Sequence, residues 1–392
     1  MSGKLGIAAL SSTSAWTYLL AVTCVACGST TERMADPETA GVVRKPTPTL
    51  SSKATGLSTA AAEASHTISP TTATATRALP PDPQPVPPPD ETAALLALEG
   101  SRSTSAGAPG NGTLIGAVAL PVRGPGFLHN PKRPPDARYG TVELVQAIAR
   151  AAAAVERDLP GIPLVVNDIS LPQGGPIAQH GSHQSGRDAD ILFYVLDGDD
   201  APLQSVGVPL DPAGKGWDFK DLSILEDDIA VRLDAPRTWR FMHGLLEAGG
   251  DHVQRIFIVE HVRAQLLAEA ERVRAPAALR ERFAHVTCQP GTPHDDHMHV
   301  RFFCSPEDIA HGCLDKPPIY PWHEAALGAL GLAPVLERVK GRAQRQTQVA
   351  ARTTTRAQAR KRAGPMHPKV RRFLAERESW AKPPRPGREY CR

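Results

Sequence analysis

One long stretch of this chain contains no aromatic residue, and this gap limits the possible folds more than any other feature of the sequence. No Phe, Trp or Tyr occurs between Tyr18 and Phe127 of the 392 residues. The stretch is rich in Thr, Ser, Ala and Pro, so it cannot bury enough apolar surface to offset the entropy lost on ordering. Two large globular domains are therefore excluded. A coiled coil, a collagen-like chain and a multi-span membrane protein are excluded as well, because no second apolar run approaches the length of a membrane span.

Residues 1–27 are predicted to be an export signal. Lys4 is the only charged residue before a mostly apolar stretch that ends near Val22, as is typical of such signals. The segment 24–28 is similar to a bacterial lipoprotein cleavage site, with Cys27 as the lipidated residue; cleavage nearby as an ordinary signal is the alternative. Both alternatives place the mature chain in the periplasm or cell envelope, with membrane contact only through a lipid anchor.

Two segments of biased composition flank the rest of the sequence. Residues 28–113 are predicted to be a disordered linker, in which Pro-rich stretches such as 80–83 favour extended, semi-rigid spacers. Residues 334–392 form a basic tail: from Val335 onward there are 17 Lys/Arg and 4 Asp/Glu, although the whole chain carries only +3. This asymmetry indicates either an arm that binds anionic lipid or cell-wall polymers, or a solvated tail with no specific partner. No nucleic-acid partner is expected, because no recognition motif for one is present.

Residues 114–333 are predicted to form a single folded domain of the α+β class. Apolar residues recur at helical spacing over 142–157, with Thr141 as the N-cap. Asp234 and Pro236 are predicted to open a second helix that ends at Leu246. A third helix is predicted at 262–274, and strands at 163–168, 189–195, 255–260 and 297–303. The strands and helices do not repeat as regular βαβ units, so we expect a small, mainly antiparallel sheet with helices packed against it.

Histidines are concentrated in two short stretches of this domain, residues 180–190 and 294–300, each beside a predicted strand. Side chains two residues apart on a strand share a face, so His297 and His299 point to one side and Met298 points into the core. Catalytic zinc binds three nitrogen or oxygen ligands and keeps an open position for water. The best trio is His183, Asp190 and His299. His297 then lies beside the metal without binding it, where it can transfer protons.

Both stretches closely resemble the penicillin-insensitive murein endopeptidases, which belong to a wider group of zinc peptidases that includes lysostaphin-type enzymes, D-Ala-D-Ala dipeptidases and the hedgehog N-terminal domain. The matching segments are His180-Gly-Ser-His183-Gln-Ser-Gly186-x-Asp188-x-Asp190 and His297-Met-His299-Val-Arg301. The resemblance covers the middle domain and neither the linker nor the tail. Arg187 departs from the pattern, because an apolar residue is usual there.

The resemblance implies a ligand set and further active-site residues. It implies one zinc ion on His183, Asp190 and His299, with His180 near the metal. His180, His294 and His297 match further active-site histidines of the family. No counterpart of a second metal site is found in the sequence, so a single zinc ion is expected.

The resemblance also implies a reaction, the hydrolysis of D-alanyl–diaminopimelyl cross-links in bacterial peptidoglycan. Zinc lowers the pKa of its bound water towards about 7 and polarises the scissile carbonyl. As an imidazolium, His297 can stabilise the oxyanion or protonate the leaving amine, while His294 or His180 orients it or the water. Neither stretch contains a glutamate, so a histidine acts as the general base or zinc alone suffices. The alternatives are a related D,D-carboxypeptidase or dipeptidase, and a non-catalytic lipoprotein that binds cell wall through its tail.

Four cysteines follow the predicted signal, an even number suited to disulfides in an oxidising compartment. Cys304 and Cys313 can close a small loop just after the predicted strand 297–303. Cys288 and Cys391 are then left as a pair, which would bring the basic tail near the active site. The alternative is that this distant pair is reduced.

Overall fold

The structure is a computed structural model that describes residues 89–338, 358, 361, 363–381 and 391. The predicted export signal, Cys27 and most of the predicted linker lie outside these residues. Within the described ranges, no helix is both long and apolar enough to cross a bilayer.

The described elements alternate irregularly along the chain. The helices are α1 Pro89–Leu96, α2 Val142–Asp158, α3 Ala235–Gly249, α4 Glu260–Arg272, α5 Ala277–Val286, α6 Pro306–Ala310, α7 Pro321–Gly328 and α8 Pro368–Trp380. The strands are β1 Thr104–Ala108, β2 Asn111–Ile115, β3 Val118–Ala119, β4 Arg123–Gly124, β5 Phe127–His129, β6 Tyr139–Gly140, β7 Leu164–Val166, β8 Asp188–Leu192, β9 Val195–Leu196, β10 Pro202–Leu203, β11 Lys215–Trp217, β12 Ala230–Leu233, β13 Val253–Phe257, β14 Thr287–Cys288 and β15 His297–Phe302.

A seven-stranded sheet, in the order β14-β13-β15-β8-β7-β5-β4, is the main layer of the domain. Neighbouring strands are antiparallel except for the β13–β14 and β5–β7 pairs. A four-stranded sheet, β10-β9-β12-β11, and the β1–β2 and β3–β6 pairs complete the strands of the described residues. The α+β prediction is confirmed. The sheet is larger than predicted because several of its strands are only two or three residues long, too short to show alternation in the sequence.

Helix α2 matches its prediction closely, and its apolar face lies in the core. Leu144, Val145 and Ile148 are fully buried there. Thr141 stands at the N-cap, but its side chain does not cap the helix. Instead, the hydroxyl of Ser103 accepts the hydrogen bond from the N–H of Val142, at 2.9 Å. The cap therefore comes from a distant segment, which the local sequence pattern could not show.

Helix α3 opens as predicted and runs further than expected. The carboxylate of Asp234 accepts the N–H of Arg237 at 3.1 Å, with Pro236 in the first turn. The helix continues past the predicted end at Leu246 to Gly249. It packs against α2. Strand β13 ends earlier than predicted, because α4 already begins at Glu260.

The folded domain begins earlier than residue 114. Residues 89–113, which the sequence assigns to the linker, contain α1 and most of the β1–β2 hairpin. The pair Ala108 and Asn111 closes a two-residue Pro109–Gly110 turn, a sequence well suited to a tight turn. Apart from Leu114 and Ile115, these strands consist of small or polar residues. Composition alone therefore misassigns them to the linker.

Part of the basic tail is folded as well. Helix α8 buries Val370, Phe373 and Arg377. Both predicted disulfides are present, Cys304–Cys313 and Cys288–Cys391. The second disulfide joins Cys391 to Cys288, six residues before the second histidine stretch.

Candidate metal centre

Strands β8 and β15 lie side by side and place their polar residues on one face. His299 pairs with Asp190, Arg301 pairs with Asp188, and His297 pairs with Leu192 across the antiparallel ladder. Met298 is 0% exposed and belongs to the core. The predicted alternation along this strand is therefore confirmed. It brings His299 opposite Asp190 at one level of the ladder and Arg301 opposite Asp188 at the next level on the same face.

His183 reaches the same place from the loop before β8. Its backbone has a left-handed φ of 66°, which costs energy in a residue with a side chain. The loop is held by two hydrogen bonds: the N–H of His183 donates to Asp188 Oδ2 at 3.1 Å, and the hydroxyl of Ser170 donates to the carbonyl of His183 at 2.8 Å. These bonds fix the direction of a ring that is only 1% exposed.

Three ligand-type atoms form a small triangle at this point. His183 Nε2 lies 3.3 Å from His299 Nδ1 and 3.3 Å from Asp190 Oδ1. His299 Nδ1 lies 2.9 Å from Asp190 Oδ1. Ligand atoms at about 2.0–2.1 Å from a tetrahedral zinc ion lie about 3.3 Å from one another. The triangle therefore has the size of three corners of a zinc site.

The ring protons of both histidines point away from this triangle. His183 Nδ1 lies 2.8 Å from the carbonyl oxygen of Ile169, and His299 Nε2 lies 2.9 Å from Asp188 Oδ1. A neutral imidazole with its proton on the atom that faces an acceptor leaves its other nitrogen free to bind a metal. Asp190 Oδ1 is buried and accepts no hydrogen bond from the described residues. The donor set therefore fits a divalent cation.

Two carboxylates make this place strongly attractive to positive charge. Burial raises the pKa of Asp188, but Arg301 and His299 outweigh burial and hold it well below its usual range. Burial likewise opposes ionisation of Asp190, but His183 and His297 keep its pKa well below the usual range. Burial lowers the pKa of His299, yet these two carboxylates raise it. A bound cation or an extra proton is needed here to balance the buried negative charge.

His180 lies at the edge of the triangle. Its Nε2 is 2.7 Å from Asp168 Oδ2, and its Nδ1 is 3.5 Å from Asp190 Oδ2. Ligand atoms of His180, His183 and Asp190 all lie within 4.8 Å of one another. His180 can thus supply a further ligand through Nδ1 while Asp168 holds its other nitrogen.

Asp168 and Arg133 are functional candidates that sequence reasoning missed. Arg133 donates to both carboxylate oxygens of Asp168, with its Nε 2.9 Å from Oδ1. Burial raises the pKa of Asp168, but the hydrogen bonds from His180 and Arg133 lower it to about 2. Asp168 lies two residues after the buried apolar strand β7, a position where a polar residue often belongs to a site. Arg133 carries no such sign in the sequence.

His297 is held by a neighbour along the chain. Its Nδ1 lies 2.9 Å from Asp296 Oδ1, and its Nε2 lies 3.6 Å from Asp190 Oδ1. Burial lowers the pKa of His297, but Asp296 and Asp190 outweigh burial and raise it to about 9. The Asp296 contact was not anticipated from the sequence, although the two residues are adjacent. The ring is poised to carry a proton beside the triangle.

The pKa of His294 is shifted in the opposite direction from that of His297. Burial, with His297 and His299 nearby, lowers its pKa to about 3, so the ring is neutral at physiological pH. Its Nδ1 donates to the carbonyl of Thr292 at 2.9 Å. The ring centroid lies 4.9 Å from that of His297 and 5.7 Å from that of His299. The structure therefore brings all the predicted site residues into one cluster, in which His297 favours its charged form and His294 its neutral form.

Comparisons with known proteins agree with this geometry. The sequence model of the family described as penicillin-insensitive murein endopeptidase matches residues 105–326. The penicillin-insensitive murein endopeptidase of Haemophilus influenzae is 30% identical over 244 residues, which cover 58% of this chain and 75% of that protein. The enzyme of that name from Klebsiella pneumoniae is 30% identical over 227 residues, which cover 57% of this chain and 73% of that protein. The one from Pectobacterium atrosepticum is 30% identical over 224 residues, which cover 55% of this chain and 70% of that protein. Because the match extends over more than half of its length, the chain belongs to the penicillin-insensitive murein endopeptidase family.

Proposed function

We propose that this protein is a zinc-dependent murein endopeptidase that hydrolyses D-alanyl–diaminopimelyl cross-links of peptidoglycan. His183, Asp190 and His299 would hold one zinc ion, and His180 would be a further ligand beside them. The observation that carries the proposal is the triangle of three ligand-type atoms, His183 Nε2, Asp190 Oδ1 and His299 Nδ1, which lie 2.9 to 3.3 Å from one another. The substrate class is supported by the names of the relatives that share this domain.

Residues of the chain supply the proton transfers. When bound, zinc supplies a Lewis acid that polarises a carbonyl and lowers the pKa of a water molecule to about 7. His294, which stays neutral, can orient the attacking water. His297, charged through its contact with Asp296, can stabilise the developing oxyanion and donate a proton to the leaving amine. A cation bound by Asp190 would partly neutralise that carboxylate, which would then raise the pKa of His297 less. The 2.9 Å contact between His297 Nδ1 and Asp296 Oδ1 would remain.

Asp188 and Asp168 act on the histidines rather than on the substrate. Asp188 fixes the orientation of His299, and Arg301 in turn holds Asp188 at 2.6 Å. Asp168 does the same for His180. Carboxylates that bind the outer nitrogen of a metal-binding histidine set its tautomer and raise its basicity.

The proposed location is the periplasm or cell envelope, where the substrate lies. The proposed export signal and the possible lipid anchor at Cys27 agree with this location, as do the two disulfides, which are typical of oxidising compartments. Peptidoglycan is the proposed partner. Contact of the basic tail with anionic lipid or cell-wall polymers remains part of the proposal.

A muropeptide digest with metal depletion tests this function. Purified protein is incubated with cross-linked muropeptide dimers as isolated, after chelation, and after zinc is added back. We expect dimers to be cleaved to monomers, cleavage to stop on chelation, and zinc to restore it. The exposed-residue variant His311→Ala serves as a control and should keep full activity.

The products distinguish the alternatives. Release of free D-alanine from monomers, with dimers intact, would indicate a carboxypeptidase. Cleavage that persists in a fully metal-free protein would contradict the zinc mechanism. No turnover of any muropeptide by the zinc-loaded protein would favour a cell-wall-binding protein without catalysis.

A further inference from the structure

A helix of the basic tail lies directly on the second histidine stretch. Helix α8, Pro368–Trp380, follows the last residue of the family match at 326. The helix contacts the site mainly through Asp295, which is 0% exposed. Asp295 lies between His294 and the Asp296–His297 pair in the sequence. This helix therefore lies beyond the family match and reaches the residues proposed to move protons.

Within the described part of the chain, every side-chain hydrogen bond to the carboxylate of Asp295 comes from α8. Arg377 Nη2 donates to Oδ1 at 2.6 Å, and Arg377 Nε donates to Oδ2 at 2.7 Å. The indole N–H of Trp380 also donates to Oδ2, at 3.1 Å. A bidentate guanidinium–carboxylate pair fixes both the distance between the two groups and the relative orientation of their planes. The tail therefore determines where the side chain of Asp295 lies and how it is oriented.

The backbone around Asp295 is held by the rest of the domain. The N–H of Val259 donates to the carbonyl of His294 at 3.1 Å, and the N–H of Leu210 donates to the carbonyl of Asp295 at 2.8 Å. His294 has a left-handed φ of 50°, a conformation that persists in a non-glycine residue only when its surroundings enforce it. The hydrogen bonds from α8 are made to Asp295, the residue that follows the strained His294.

Helix α8 is itself firmly attached. Val370 and Phe373 pack with Phe219 and Leu222 in a separate apolar cluster. The side-chain amide of Gln289 donates to the carbonyl of Trp380 at 3.0 Å. The disulfide from Cys391 to Cys288 then ties the tail to β14, immediately before residue 289. These attachments make α8 a fixed support for residues 289–297.

We propose that Arg377 is a positioning residue and that α8 acts as a strap that holds His294 and His297 in their working geometry through Asp295. The inference rests on the proposed function of the same site. Without Arg377, the buried carboxylate of Asp295 loses its counter-charge and moves towards water. Residues 294–297 shift with it, and small displacements of proton-transfer groups cost large factors in rate.

Substitution of Arg377 tests the strap. We expect Arg377→Met to lower kcat on a soluble muropeptide dimer by about 10- to 100-fold, with KM and bound zinc unchanged, because the metal ligands are not touched. The matched control is Arg371→Met, an exposed arginine of the same helix, which should leave kcat unchanged. Arg377→Lys, which keeps the charge but loses the bidentate geometry, should lie between the wild type and Arg377→Met. A folded, zinc-loaded Arg377→Met protein with wild-type kcat would overturn the proposal.

A double variant separates positioning from any independent effect. If Arg377 acts only through Asp295, then Asp295→Asn lowers kcat as well, and the double variant is no slower than the slower single variant. Rate losses that multiply would show that Arg377 acts by another route and would overturn the inference.

Hydrogen exchange makes the strap testable apart from catalysis. We expect amides in residues 289–297 to exchange at least about 10-fold faster in Arg377→Met than in the wild type, with α2 unchanged. If the wild type fails to cleave muropeptides while this local exchange rises, the proposed function fails and the strap stands as a structural support. If exchange in 289–297 is unchanged, the strap itself is refuted.

Discussion

His183 and His297 both approach Asp190 Oδ1, at 3.3 and 3.6 Å, but their other nitrogens are bound differently. His183 donates to a backbone carbonyl and leaves Nε2 free for a metal. His297 faces the carboxylate of Asp296, which favours its charged form. The acceptor on the outer ring nitrogen therefore differs between the two histidines. The carbonyl of Ile169 favours a neutral His183, which suits metal binding, and the carboxylate of Asp296 favours a charged His297, which suits proton donation.

This difference predicts opposite outcomes for two alanine substitutions. His183→Ala should weaken zinc binding by at least about 100-fold, because a ligand is lost. His297→Ala should keep full zinc content and lose about 10²- to 10⁴-fold in kcat, the usual contribution of a general acid or base. Zinc analysis after dialysis, together with muropeptide kinetics, checks both. Equal loss of zinc in the two variants would show that His297 is a ligand.

Glu143, in the first turn of α2, predicts a pH dependence of stability. Burial raises its pKa to about 7, with Asp308 adding to the effect, against an ordinary value of 4.5. The native state then holds this proton more tightly than the unfolded state. The free energy of unfolding therefore decreases as pH rises from about 4.5 to 7, by at most about 3 kcal/mol.

Glu143→Gln should remove that decrease. We expect the variant to be more stable than the wild type by about 1–3 kcal/mol at pH 8 and to gain nothing at pH 4. Urea unfolding at the two pH values measures the difference. The exposed Glu281→Gln should change little at either pH. An equal gain at both pH values for Glu143→Gln would mean that charge is not the cause.

At the level of elements, the site was predictable where it depends on strand periodicity. Alternation along β15 places His297 and His299 on one face, and the same rule applied to β8 aligns Asp188 with Asp190. His183 could be included because its spacing from Asp190 matches a family motif. These relations extend over a few residues, so the sequence contains them directly.

Contacts between distant elements could not be predicted. The Ser103 cap of α2 and the Arg377–Asp295 pair join segments 39 and 82 residues apart. Arg187, a departure from the family pattern, is 1% exposed and donates to Ser105, to the carbonyls of Phe302 and Leu314, and to Asp315 at 2.9–3.0 Å. A charged residue at an apolar position becomes intelligible only once those four acceptors are known.

At the scale of the whole molecule, the polar contacts of residues 89–113 determine where the folded unit starts. Ser105 accepts from Arg187 and donates its N–H to Asp308 at 2.6 Å. Carbonyls of Leu95 and Leu98 accept the side-chain amide of Gln146 on α2, at 3.0 and 2.8 Å. The segment therefore satisfies buried polar groups of the domain, even though it contributes no aromatic residue to the core.

Two shortened chains make this start measurable. A chain of residues 89–392 keeps all of these contacts, whereas one of residues 114–392 leaves Arg187, Asp308 and the N–H of Val142 without partners that they now have. Each buried polar group left unpaired costs about 1–3 kcal/mol, and the sum is comparable to the total stability of a typical domain, about 5–15 kcal/mol. We expect the longer chain to melt at the temperature of the full-length protein and the shorter one to melt at least about 10 °C lower or to remain unfolded. Calorimetry of the three proteins distinguishes these outcomes, and equal melting of the two shortened chains would move the start of the folded domain back to residue 114.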